Sequence, residues 1–591
     1  MKTKIIPVVL GVFVFLGFGG LLSQQNPEDA KFAKTMETFL DEYWKFYPTA
    51  ATMAGYMKYN DKLEDLSESA IEKRGTALDG YSKDLVTKIN KDKLSPDVQI
   101  DRDLLMDAID LELLRLDNLV PQQYNPIFYN DIILQSIRSL LGREFGPIEA
   151  RMKSATERAK QLPGFLKQAK ENLKTPPKEY TEAAIKQSAA ILDFYRIDVP
   201  KLIENVSGEA KTKFQAELAK FIPALEDYQR FLQGDLLNRS TGNFRLGTDA
   251  HARLLRLTCQ GNLMINDILA IAKADSTNIR NDMGIVAMPY YRIMYPNQNM
   301  EQLSVLYKEK VDELRTIFIK GVLDKIKAER PTKENFLDKI KASVEEIKAF
   351  LNQSKMLDVP QENLAVETVP AAPRGQIWVR LLSPCPYESS GRYSAQVNPI
   401  PDDWSADQVQ SFLEEYNNYL LPIWTIEKVY PGQFFPIFYT RNNPSLMRKL
   451  HPNKPLIRGW ALYSEDMFIN AGFGNYDLKL RLNQLKMKLK AVIDFQLDIN
   501  IHQGGLTEDQ AMRLMTITGL RTQAEAERRW NMIVLHPCEA AYPYIGYQEI
   551  LDMEKDYRKL KGDAFSQKEF LQKLLSYGAI PPRALKAKLS Q

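Results

Sequence analysis

The sequence predicts an all-α protein built from many helices, with one minor β segment near residues 376–400. Three observations carry that expectation. Apolar residues recur in steps of three and four over long stretches. Helix-capping pairs punctuate the region after 500. Prolines, glycines and one β-branched, aromatic run concentrate between 355 and 401.

The elements follow in chain order. Lys2 and Lys4 precede an apolar run from Ile5 to Leu22, and polar residues begin at Ser23. This is the layout of a secretory signal peptide, residues 1–23, with an uncleaved membrane anchor as the alternative. No cysteine follows the run closely enough for lipid attachment. Ile100, Leu104, Ala108 and Leu111 then recur at helical spacing. Residues 355–376, with Pro360, Pro370, Pro373 and Gly375, read as a connector. Gln376 to Leu381 reads as a short strand, followed by a long loop holding Pro384, Pro386, Pro399 and Pro401. Leu478, Leu482, Leu485, Leu489, Val492, Phe495 and Ile499 form one apolar stripe, and Lys479, Lys486, Lys488 and Lys490 lie off it. The lysines are expected to form a solvated face. Thr507 with Gln510 and Thr522 with Glu525 have capping-box spacing, and Gly519 suits a helix stop. A coarse division places an N-terminal helical part at 24–240 and a C-terminal helical part at 241–591.

Bulk properties narrow the function classes. The 591 residues suffice for one large helical domain or two intimate ones, and 44% apolar with 26% charged residues is ordinary for a folded chain. The net charge of +3 falls to +1 when Lys2 and Lys4 leave with the leader. Such a chain has no general electrostatic reason to bind nucleic acid. Three separated cysteines, Cys259, Cys385 and Cys538, read as buried apolar side chains, with a single disulfide as the alternative. The four histidines, His251, His451, His502 and His536, never fall within one helical turn, so a histidine-rich metal site is hard to build. H-E-x-x-H, G-x-S-x-G, the phosphate-binding G-x-x-x-x-G-K and the dinucleotide glycine fingerprint are all absent.

Two segments stand out. Thr425-Ile426-Glu427-Lys428-Val429-Tyr430-Pro431-Gly432-Gln433 follows a helix-like run, Val409 to Tyr419. Arg458-Gly459-Trp460-Ala461-Leu462-Tyr463-Ser464-Glu465 comes 25 residues after Gln433. Taken alone they are charged residues around a turn. Together they resemble the bacterial domain-of-unknown-function family 885, whose members are predicted zinc metallopeptidases. Its pattern is I-H-E-x-Y-P-G-H followed by E-G-W-A-x-Y-x-E. Asp498 to His502, Leu506 to Ala511, Tyr542 to Gly546 and Leu575 to Pro581 resemble further family elements.

The resemblance implies a large multi-helix, metallopeptidase-like assembly with a central cleft. It also implies that Glu427 and Gln433 replace two zinc-binding histidines, and that Lys428 replaces the general base. Arg458 stands for the third ligand, with the retained Glu465 as the other candidate for that role. A catalytic zinc wants about three nitrogen or carboxylate ligands and an open position. An arginine cannot lose its proton, and a lysine ammonium repels a dication and cannot accept a proton from water. No catalytic residue is expected to be active, and no metal or other cofactor is expected; zinc belongs only to an intact motif. Lys428, Arg458, Glu427 and Glu465 sum to zero charge, so an ion-pair cluster is expected where the metal would be. The Glu427–Lys428 pair should lie on a helix beside a second helix carrying Trp460. Tyr430, Pro431, Gly432, Trp460, Tyr463, Glu465, His502, Tyr542 and Tyr544 are the remnant cleft residues.

The functional expectation is an exported, periplasmic or secreted homologue without catalysis, binding a peptide or protein partner. It touches a membrane only through an uncleaved N-terminal segment. The alternatives are an active hydrolase with a non-standard metal site, built from Glu427, Glu465 and His502, and an envelope structural or assembly component.

Overall fold

Side chains that cap backbone N–H groups set where many helices of this chain begin. The computed structural model describes residues 26–369 and 379–591, so the apolar leader and Gln376–Trp378 of the expected strand lie outside the described residues. Asn26, Ser67, Asn125, Asn453 and Asp477 each accept from an N–H of the first helical turn. Proline follows within two residues in three of these cases, at Pro27, Pro126 and Pro455. There its missing N–H costs nothing and its fixed φ suits the helix. The expected Thr507–Gln510 capping box is present in full, and Thr522 accepts from the Glu525 N–H. Gly519 does follow the end of a helical turn, but the left-handed residue is its neighbour Leu520, at φ 57°.

The fold is mostly helical, 72%, with a small three-stranded mixed sheet. One apolar core runs from Phe32 to Leu589. Ile100 and Leu104 face it as expected from the helix Pro96–Leu114, but Ile109 rather than Ala108 continues the stripe. No helix among the described residues is long and apolar enough to cross a membrane. The three cysteines are buried free thiols.

The sheet joins β1 (Leu364–Thr368), β2 (Val379–Leu382) and β3 (Tyr393–Val397) in the order β1-β3-β2. β3 pairs parallel to β1, with Leu364 opposite Tyr393, and antiparallel to β2, with Leu381 opposite Ala395. β3 is buried along its whole length because it is central. The connector expected at 355–376 therefore contains a strand. Its prolines flank Leu364–Thr368 without interrupting it, and the parallel partner lies too far along the chain to leave a local signal.

The helix Leu478–His502 runs through the middle of the C-terminal half. The stripe from Leu482 to Ile499 is buried, but so are Asn483, Gln484, Asp494 and Asp498 on other sides. The solvated lysine face is corrected accordingly. Lys486 and Lys490 are buried and pair with Glu415 at 3.2 and 2.6 Å, Lys488 pairs with Asp466 at 2.6 Å, and Lys479 with Glu329 at 3.1 Å. Neighbouring helices cover this face and supply carboxylates, which the helix's own sequence does not reveal.

Candidate functional site

Glu427 and Lys428 close the helix Leu420–Lys428. The backbone then turns back on itself. Tyr430 N–H donates to Thr425 O and Gly432 N–H donates to Ile426 O, both at 2.9 Å, across a cis Tyr430–Pro431 bond. A Cβ on residue 432 would lie 2.3 Å from Glu427 O and 2.4 Å from Ile426 O, so the turn admits only glycine. Gln433 caps the next helix, Phe434–Arg441, and is half-buried. Tyr430 stacks on Phe434, ring centroids 5.6 Å apart, which anchors the turn in the core.

The second segment lies on the helix Lys454–Asn470, packed against the helix Tyr542–Lys561. A Cβ on Gly459 would sit 2.0 Å from the Gly546 carbonyl carbon, and one on Gly546 would sit 1.8 Å from Pro455 O. The two helices cross backbone to backbone at a pair of glycines. That contact sets the rotation of the Lys454–Asn470 helix. Trp460 and Glu465 turn fully inward, and Tyr463 donates to Glu554 at 2.7 Å. Tyr544 donates to Asp275 at 2.6 Å, and Tyr542 is buried at the start of its helix.

Arg458 lies on nearly the same phase as Glu465 but one heptad earlier, where the face of the helix is open. It is exposed and has no ion pair among the described residues. The expected four-charge cluster therefore reduces to three. Lys428 donates to the Glu427 carboxylate, and Glu465 lies within electrostatic reach of both. Burial pushes the Glu465 carboxyl well up, repulsion from Glu427 and Asp466 adds to it, and Lys428 and Lys488 oppose it. Asp466 itself is held by Lys488, by Gln484 at 2.9 Å and by the Tyr547 hydroxyl at 2.5 Å. Lys428 is the member that reaches solvent, with 28% of its side chain exposed. Both oxygens of Glu465, Glu427 Oε2 and Trp460 Nε1 have no hydrogen-bond partner among the described residues.

These donors do not fit a catalytic zinc. An ammonium already occupies the Glu427 carboxylate, Gln433 offers at best a neutral amide oxygen, and Arg458 points away. Glu465, unlike Arg458, faces inward and is wholly buried.

A family model described as "Bacterial protein of unknown function (DUF885)" matches residues 48–589. The chain belongs to the DUF885 family. A protein named as a lipoprotein of unknown function from Shewanella oneidensis has the same fold, with TM-score 0.82, 24% identity, and coverage of 95% of this chain and 100% of that one. A protein named as a lipoprotein from Colwellia psychrerythraea matches at TM-score 0.75 and 15% identity, covering 95% and 98%. At these identities the likeness shows the fold alone. A search of curated proteins finds no match.

Within this DUF885 fold, His502 does not join the glutamates. It lies about 21 Å along the helix Leu478–His502 from Lys488, whose ammonium pairs with Asp466 next to Glu465. Its ring stacks on His251 with centroids 5.1 Å apart, and its Nε2 meets Ile533 O at 3.0 Å. The ligand set Glu427, Glu465 and His502 is thus not assembled. His251 instead meets Asp498 and, with Cys538, forms a second cluster. The residues of that cluster span almost 290 positions, and no local spacing signals it in the sequence.

Proposed function

We propose that this DUF885 chain is an exported, non-catalytic relative of metallopeptidase-like proteins that binds a peptide or protein partner. One observation carries the reading: the Lys428 ammonium sits on the Glu427 carboxylate, where the resemblance puts a dication and its general base. The ammonium places one positive charge on that carboxylate in place of a dication. The N-terminal apolar run and the lipoprotein names of the two structural relatives support an exported protein held near a membrane.

The test is metal content located by mutation. Glu427→Gln should leave the metal content of the purified protein unchanged. The variant Glu427→His, Lys428→Glu, Gln433→His should gain one zinc per chain over the native protein, with Glu465 completing the set. Loss of a bound zinc on Glu427→Gln would overturn the reading.

A second reading is a hydrolase with a non-standard metal site. The unpartnered oxygens of Glu427 and Glu465 favour it, since buried carboxylate oxygens normally find a donor or a cation. The same Glu427→Gln comparison separates the two.

A further inference from the structure

The buried cluster on the far side of the helix Leu478–His502 has the composition of a metal site. His251 comes from the helix Gly247–Cys259, Asp498 from Leu478–His502, and Cys538 from the turn before Tyr542–Lys561. One ligand atom from each lies within 4.8 Å of the other two, and all three residues are buried. His251 Nε2 meets Asp498 Oδ1 at 2.7 Å, and the Cys538 N–H donates to the same oxygen at 3.1 Å. Asp498 Oδ2 has no hydrogen-bond partner among the described residues, although the residue is wholly buried. An unsatisfied buried carboxylate oxygen is costly, and a cation beside it removes that cost.

We infer that His251, Asp498 and Cys538 hold a single zinc ion, separate from the glutamate pair. The donor set is one imidazole, one carboxylate and one thiolate, which suits zinc among the common divalent ions. Ordinary zinc bond lengths bring tetrahedral ligand atoms to about 3.3–3.6 Å of each other, so the 2.7 Å His251–Asp498 contact opens and the wider separations close, each by about 1 Å. Gln503 completes the site from outside. Its amide lies 2.9 Å from His251 Nδ1, where it can fix the tautomer of a metal-bound ring.

The protons balance simply. In the metal-free state Gln503 Nε2 donates to His251 Nδ1, and the Nε2 proton faces Asp498. On binding, that proton moves to Nδ1 and the Gln503 amide turns to accept it. The Cys538 thiol gives its proton to solvent, so one proton is released per ion. Burial pushes the free thiol up, and a coordinated cation reverses that preference. Cys259 lies close enough to act electrostatically on Cys538.

The test uses the full mature chain, reduced and freed of metal, titrated with cobalt(II) as the spectroscopic probe. The expected result is one ion per chain, a thiolate-to-cobalt charge-transfer band in the near ultraviolet, and one proton released. Cys538→Ala should abolish the band while Glu427→Gln leaves it intact. If Cys538→Ala does not fold, the native titration and the Asp498→Asn variant still decide. No binding at micromolar cobalt, or binding without the thiolate band, would overturn the inference. Because the glutamate pair is untouched by Cys538→Ala, failure here and failure of the proposed function read out separately.

Discussion

Glu465 and Gly459 sit six residues apart on one helix and show how differently single side chains constrain this protein. Glu465 is an ionisable group in a dry site with a like charge beside it. Its folded carboxyl is raised above the unfolded value near 4.5, so the folded state binds more protons. Its contribution is least harmful below pH 4.5 and becomes increasingly destabilising as pH rises from there through the folded value. Glu465→Gln should therefore be more stable than the native protein at pH 7 and about equal to it at pH 4, as read by urea denaturation across pH. Equal stability differences at both values would show that Glu465 does not titrate in this way. Gly459 acts through absence: any Cβ meets the Gly546 backbone. Gly459→Ala should cost about 3 kcal/mol, toward the upper end for overpacking, because both contacting groups are main chain. A fall of less than about 1 kcal/mol in chemical denaturation would mean that the helices can part.

At the scale of an element, the helix Leu478–His502 organises the C-terminal half by offering a different chemistry on each side. Its apolar stripe packs in the core, Lys488 meets Asp466, and Asp498 faces His251. Lys486 and Lys490 converge on Glu415. Burial alone would raise the Glu415 carboxyl, but the two lysines outweigh it and hold it well below the usual carboxylate range. That stability is present above pH 4.5 and is lost as pH falls through the depressed folded value. Glu415→Gln leaves two ammonium groups in a nearly buried site and should cost about 3 kcal/mol at pH 7. The difference from the native protein should shrink in acid, which melting curves at pH 7 and pH 3 would check. A penalty that does not change with pH would remove the ion pairs from the account.

For the whole molecule, the partner-binding reading predicts heat on titrating the mature protein with a mixed pool of unstructured peptides, unchanged by Glu427→Gln. Silence across the pool would leave the envelope structural role as the better account. The helical class, the minor β segment and the family were legible in the sequence alone, because amphipathic spacing, capping pairs and short motifs are local signals. Even the replaced motif positions could be read there, since a histidine missing from a matching frame is visible without coordinates. Three things were decided only by tertiary structure. Arg458 is exposed and Glu465 wholly buried although both fall on a similar helix phase, because what covers that face of the helix changes along its length. Neighbouring helices turned an apparently solvated lysine face into buried ion pairs. Chain folding brought His251 to Asp498 and Cys538 across more than two hundred residues. Periodicity reports which face of a helix is apolar, but what covers the other faces depends on contacts distant in sequence, and those contacts determine which charges are buried and with which partners.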